Sequence, residues 1–225
     1  MINSESAASG GEVVVVSGSP AQIPALAPNH APSHALVQAT LEALRGALAR
    51  HPSRIVVVSP RNLQWYTAHE GSFRAWGAPD VVVAQGHYLG DLLAIWLLEQ
   101  ASLLNDFPLA PIEFADAIAL GPGVLTVVVA DGSAGLHPKA PLAQLDGAAA
   151  TQRWCENLLG AELPDAKSAD ALAKGGVFEP DMWLELYRCA SSPGAADFKR
   201  TLVYREHSLG VGRCVAWWSR ERKAK

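Results

Sequence analysis

The sequence predicts a single α/β domain, a mostly parallel central sheet flanked by helices with a late antiparallel strand pair. Three observations predict it. Short β-branched runs alternate with amphipathic stretches at helical spacing. Three of those runs (Val13–Val16, Ile55–Val58 and Val124–Ala130) each break into a polar, turn-rich loop. Two later runs face one another across a tight turn. Strand–helix–strand order favours parallel pairing, because a crossover helix must return the chain to the same edge.

Taken in order, Val13–Val16 is a short buried strand, followed by a Gly/Ser/Pro/Asn-rich loop, Gly18–Pro32. Ser33 can cap a helix over His34–Arg50, where Leu36, Leu41, Leu44 and Leu48 recur at helical spacing. The strand Ile55–Val58 leads into a long loop, Ser59–Pro79, that holds Trp65, Tyr66, His69, Phe73 and Trp76. Val81–Ala84 reads as a third strand and Gly90–Leu104 as a second amphipathic helix. A Pro-rich crossing then reaches Val124–Ala130, the strongest strand in the chain, which opens onto DGSAGLHPKAPLAQLDG. Residues 149–190 read as helix, broken near Pro164, Gly175-Gly176 and Pro180. Leu202–Arg205 and Gly212–Trp218 form the closing pair, joined through Ser208–Gly210. Residues 1–11 and 220–225 read as a flexible N-terminal tail and a basic C-terminal tail around a domain at 12–219.

The bulk numbers exclude several classes. With 225 residues, 49% of them hydrophobic, the chain can bury a substantial core. A net charge of −4 without a Lys/Arg cluster argues against a nucleic-acid partner. No apolar stretch approaches the ~18 residues of a membrane span. The three cysteines, Cys155, Cys189 and Cys214, show no CxxC spacing, as in a reduced cytoplasmic protein. GxGxxG, Walker A, HExxH and GxSxG patterns are absent, and LGVGR at 209–213 reads as turn geometry.

If the sheet is parallel, the loops SGSP, SPRN and ADGS share one edge, the usual ligand crevice of such folds. They would gather Ser17, Ser19, Arg61, Asn62, Asp131, Ser133, His137 and Lys139. Arg61 and Lys139 suit an anion, the hydroxyls and Asn62 orient it, and Asp131 or His137 moves protons, with Ser133 beside them. The competing readings are a plain turn for Asp131-Gly132-Ser133 and a surface ion pair for Arg61. The aromatics around Trp65 fit a lid carrying His69 to the site, an anchor to the core, or a homo-oligomer interface.

The motifs VVVVSGSPAQIPALAP, IVVVSPRN, YTAHEGSFRAWGAP, VVVADGSAGLHPKAP and LVYREHSLGVGRCVAWW, in that order, resemble the class III extradiol dioxygenase superfamily. The likeness is to the group of the protocatechuate 4,5-dioxygenase β chain, nearest an actinobacterial branch of that group, over roughly residues 12–219. The resemblance implies an Fe(II) site of two histidines and a carboxylate. It places one histidine after the first strand, where Ser17-Gly18-Ser19-Pro20 stands, and another after the second, where Arg61-Asn62 stands. A catalytic histidine would fall near Ser133-Ala134. All three are replaced, and an arginine stays protonated and does not bind iron.

The expectation is therefore an enzyme or metabolite-binding protein without a cofactor, taking a small carboxylated or phenolic molecule through lyase, hydrolase or isomerase chemistry. Two alternatives stand beside it. One is a dioxygenase whose Fe(II) site has moved to His30, His69, His137 or Glu206; the other is a non-catalytic subunit of the same fold.

Overall fold

The computed structural model describes residues 11–104 and 107–220. The two tails fall largely on residues 1–10 and 221–225, outside that range, while Gly11 is already buried at the start of the domain. A six-stranded sheet runs in the order β5-β2-β6-β1-β8-β7. Its strands are β1 (Glu12–Val16), β2 (Arg54–Val58), β5 (Ile112–Ala115), β6 (Val124–Val129), β7 (Phe198–Glu206) and β8 (Arg213–Arg220). β5, β2, β6 and β1 pair in parallel, with Val14 opposite Val127 and Val57 opposite the same residue. β8 then joins β1 antiparallel and β7 joins β8 antiparallel.

Alternation along β1 decides the layering. Val14 and Val16 face helices α1 (Ala31–Leu48) and α2 (Leu89–Leu103), packing with Leu36, Leu44, Leu97 and Leu98. Val13 and Val15 face α3 (Ala148–Leu159), α4 (Ala169–Lys174) and α5 (Pro180–Ser191), against Trp154, Leu158, Leu172 and Trp183. Both faces are covered, so all five β1 residues are buried. That is why β1, β2 and β6 read as unbroken apolar runs.

The chain leaves β1 and β2 toward the α1/α2 face and leaves β6 toward α3 on the opposite face. The connection from β6 therefore diverges from those of its two neighbours, β1 and β2, which opens a crevice beyond its carboxyl end.

Several expectations need correction. The Val81–Ala84 run is not a third strand of the main sheet. Ala78–Val82 forms β4, which pairs antiparallel with β3 (Ser72–Phe73) in a separate two-stranded hairpin. Its side chains are largely exposed, with Val82 at 66%, and only Ala78 is buried, in a small cluster with Ile23 and Phe73 that Val81 also meets. The sheet's edge comes instead from β5, inside the Pro-rich crossing. Helix α1 begins three residues earlier than expected and is capped by His30, whose Nδ1 accepts from the Ser33 amide at 3.2 Å. β8 continues through Arg220, whose guanidinium covers Phe198 at 4.8 Å. Among the described residues, no helix is long and apolar enough to cross a membrane.

Candidate functional site

The crevice at the end of β6 is a cavity of about 470 Å³. The loop after β1 gives Gly18, Ser19, Pro20 and Ala21, and the loop after β2 gives Pro60 and Trp65. Leu89 and Gly90 come from the first turn of α2, and Val129, Ala130 and Asp131 from the end of β6. Pro141, Phe178, Glu179, Leu209 and Val211 complete the wall, which is mostly apolar.

Asp131 is the principal polar group at the strand end. Its Oδ1 accepts from Ser17 Oγ at 2.5 Å, and the Ser17 hydroxyl oxygen in turn accepts from the Ser19 amide at 3.1 Å. Gln22 pins the same loop by donating to the Ser17 carbonyl at 2.7 Å. Position 18 is glycine for a steric reason, since a Cβ there would stand 3.1 Å from Asp131 Oδ2. Desolvation raises the Asp131 pKa, a shift opposed by the Ser17 hydroxyl, the Gly18 amide and the Arg213 guanidinium. Burial therefore favours the protonated form, and a carboxyl so placed can exchange a proton with a ligand beside it. Ser17 is fully buried, so it orients Asp131 and is not itself exposed to a ligand.

Two loops are stitched together behind the cavity. Gly132 donates to the Gly212 carbonyl at 2.7 Å, Gly212 to the Ser133 carbonyl at 2.8 Å and Leu136 to the Gly210 carbonyl at 3.1 Å. The Gln152 carboxamide lies across this seam. Its Oε1 accepts from the Ser133 amide at 3.0 Å, and its Nε2 donates to Glu156 Oε1 at 3.0 Å. Hence DGS and GVG act as a pair, setting Asp131 on one side and Leu209 and Val211 on the other.

At the mouth, Glu179 receives three neutral donors from the loop after β2: Asn62 Nδ2 at 2.6 Å, Trp65 Nε1 at 2.8 Å and Gln64 Nε2 at 3.3 Å. These bonds join the second strand's loop to the N-terminus of α5.

The sequence-predicted residues divide. Asp131, Ser19 and Trp65 line the cavity, Ser17 supports it, and Asn62 reaches it through Glu179. The anion pocket of Arg61 and Lys139 is not assembled. Arg61 turns to the α2 side, its guanidinium 5.3 Å over the Phe114 ring and 3.8 Å from Asp91, which Ser59 also bonds at 2.6 Å. Lys139 is exposed, and its amide donates to His137 Nδ1 at 2.9 Å, a local turn. Ser133 is fully buried, accepting from the Gly135 amide, and His69 is exposed away from the cavity. Phe73 is buried against Leu89, Leu92 and Leu93, so that part of the aromatic loop anchors to α2.

Sequence reasoning missed Glu179, Gln152 and Arg213. Arg213 is fully buried, paired with Glu206 and donating to Ser33 Oγ at 2.7 Å. Ser33 Oγ also meets His30 Nδ1 at 2.8 Å, and His30 Nε2 meets Ser208 Oγ at 3.2 Å. Since the Ser33 amide donates to Nδ1, the His30 proton resides on Nε2 and is offered to Ser208.

The donor set does not fit an iron triad. The strand-end positions supply Ser17, Ser19, Arg61 and Asn62, and among the described residues no three His, Cys, Asp or Glu side chains gather to hold an ion. The substitute ligands are dispersed: His30 caps α1, Glu206 holds Arg213, His137 closes a turn and His69 faces solvent. No protein-family model matches the chain, and no curated protein matches it.

Proposed function

We propose that the chain is a small-molecule enzyme or metabolite-binding protein of class III extradiol dioxygenase-like descent in which the Asp131 carboxylate accepts the ligand's proton and returns it. The observation that carries this is the Asp131 carboxyl, bonded by Ser17 at 2.5 Å and facing an apolar cavity at the strand-end crevice. Of the two ligand types the sequence suggests, the cavity favours the phenolic one. Among the described residues lining it none is basic, so a ligand carboxylate would meet Asp131 and Glu179 without a counter-ion. A phenol offers instead an O–H to Asp131 and a flat ring to Trp65, Pro20 and Pro60.

The test uses 4-nitrophenol, whose phenolate is coloured. Bound next to Asp131, the probe should ionise at a higher pH than in water, because a nearby carboxylate opposes the phenolate. Asp131→Asn should return the transition toward the free value while binding persists. An unbound probe, or one that titrates identically in both proteins, refutes the proposal.

A further inference from the structure

The geometry points to an organic ammonium, an amine or quaternary amine on an aromatic or aliphatic body, as the ligand class of this cavity, with Glu179, Trp65 and Phe178 as its recognition group. The inference rests on the cavity being the binding site proposed above. Its basis is a mismatch of charge. Glu179 lines the cavity and is bonded by an amide from Asn62, an amide from Gln64 and an indole N–H from Trp65, all of them neutral. Those bonds fix the carboxylate's position without supplying a cation; Glu179 stands at the N-cap of α5, but its side chain makes no cap bond there and Asp181 in the first turn shares that helix dipole.

Among the described residues, the basic groups nearby do not line the cavity. Arg213 pairs with Glu206, Arg61 lies against Asp91 and Phe114, and Lys139 is exposed outside the cavity. The N-terminus of α2 meets the cavity at Leu89 and Gly90, where Asp91 in the first turn is shared between that helix end and Arg61. What remains is negative and lined by aromatic rings. Trp65 sits beside Glu179 through its indole bond, and Phe178 is the preceding residue, 48% exposed and also lining the cavity. Carboxylate and aromatic faces together are the pairing that holds an ammonium, through charge and the ring quadrupole. An apolar wall suits the rest of such a ligand, and desolvation strengthens the attraction.

Three para-alkyl phenols that differ in the charge of the side chain separate the possibilities by titration calorimetry on the full chain: tyramine, para-ethylphenol and para-hydroxyphenylpropionate. Tyramine should bind about tenfold tighter than para-ethylphenol, and the propionate weakest. Glu179→Gln should remove about tenfold of tyramine affinity and leave para-ethylphenol within about twofold. Phe178→Leu, which spares the Glu179 bonds, should narrow the tyramine preference likewise, and it covers the case where Glu179→Gln loosens the loop. If para-ethylphenol binds but tyramine gains nothing, or the propionate binds best, the ammonium assignment falls and the cavity stands. If none of the three binds, the cavity reading fails and takes this one with it.

Discussion

Gln152 offers the sharpest test of how the site is held. Its side chain is 2% exposed, accepts from the Ser133 amide at 3.0 Å and donates to Glu156 at 3.0 Å. Gln152→Ala strands a buried N–H, at about 1–3 kcal/mol, and takes one donor from a buried carboxylate, at about 1.5–3 kcal/mol. The expected loss is roughly 3–5 kcal/mol, lowering Tm by about 10 °C for a domain of this size. Gly212→Ala should reach a similar end from the opposite side. A Cβ on Gly212 would fall 1.7 Å from Gln152 Oε1 and 2.1 Å from its Cδ, so the amide must leave the seam. Because each substitution removes the same bonds, the double variant should be at least about 2 kcal/mol more stable than the sum predicts. Urea unfolding of the four proteins measures this directly. Additivity within about 0.5 kcal/mol would refute the reasoning, since the two residues would then act independently.

Other outcomes follow from buried charge. Burial raises Glu12 from 4.5 to about 6, against the opposing Trp217 bond and Arg50 charge. The folded state therefore holds a proton that the unfolded chain releases, and stability falls as pH rises from about 4.5 to 6, then levels. The drop is about 2 kcal/mol, and Glu12→Gln should abolish that slope in denaturation measured across this range. Arg213→Met leaves Glu206 buried without its cation and should cost about 3–5 kcal/mol by urea unfolding. Adding Glu206→Gln should recover more than half, and no recovery would mean the pair is not the cause. Arg61→Ala should leave para-ethylphenol affinity within about twofold by calorimetry, because its guanidinium lies toward Asp91 and Phe114. A larger loss would place Arg61 in the binding site after all.

The sheet was legible where both faces are covered. Val13–Val16, Ile55–Val58 and Val124–Val129 carry no polar alternation because helices pack on each side. The late pair was legible by its alternation, outward residues along β7 being partly or fully exposed. β5 was not, since Ile112–Ala115 is a half-exposed edge preceded by Pro108 and Pro111, and edges carry a weak apolar signal. Val81–Ala84 misled for the converse reason: a short apolar run does not say which sheet it joins. Ser33 has the usual chemistry of a cap, yet His30 supplies the accepting atom. The Ser33 hydroxyl is drawn instead into the contact between His30 and Arg213.

The site was legible only along the strand ends. Asp131 follows the strongest strand, and parallel pairing of β1 with β6 brings Ser17 to it across 114 positions. Charge was not legible in the same way, because a guanidinium's direction depends on partners that the local sequence does not name. Arg61 has Phe114 on an unread strand and Asp91 on a helix, and both lie on the α2 side. With Arg61 held there, the counter-ion that an anion pocket requires is gone. Glu179, 117 positions from Asn62, then sets the sign at the mouth. The arginine that suggested an anion thus lies beside Asp91 at 3.8 Å, its Nε and Nη2 buried without a hydrogen-bond partner, while Glu179 lines the cavity with neutral donors only. A site's charge is fixed by which ions remain unpaired after packing, and Glu179 is the side chain on which that test should fall.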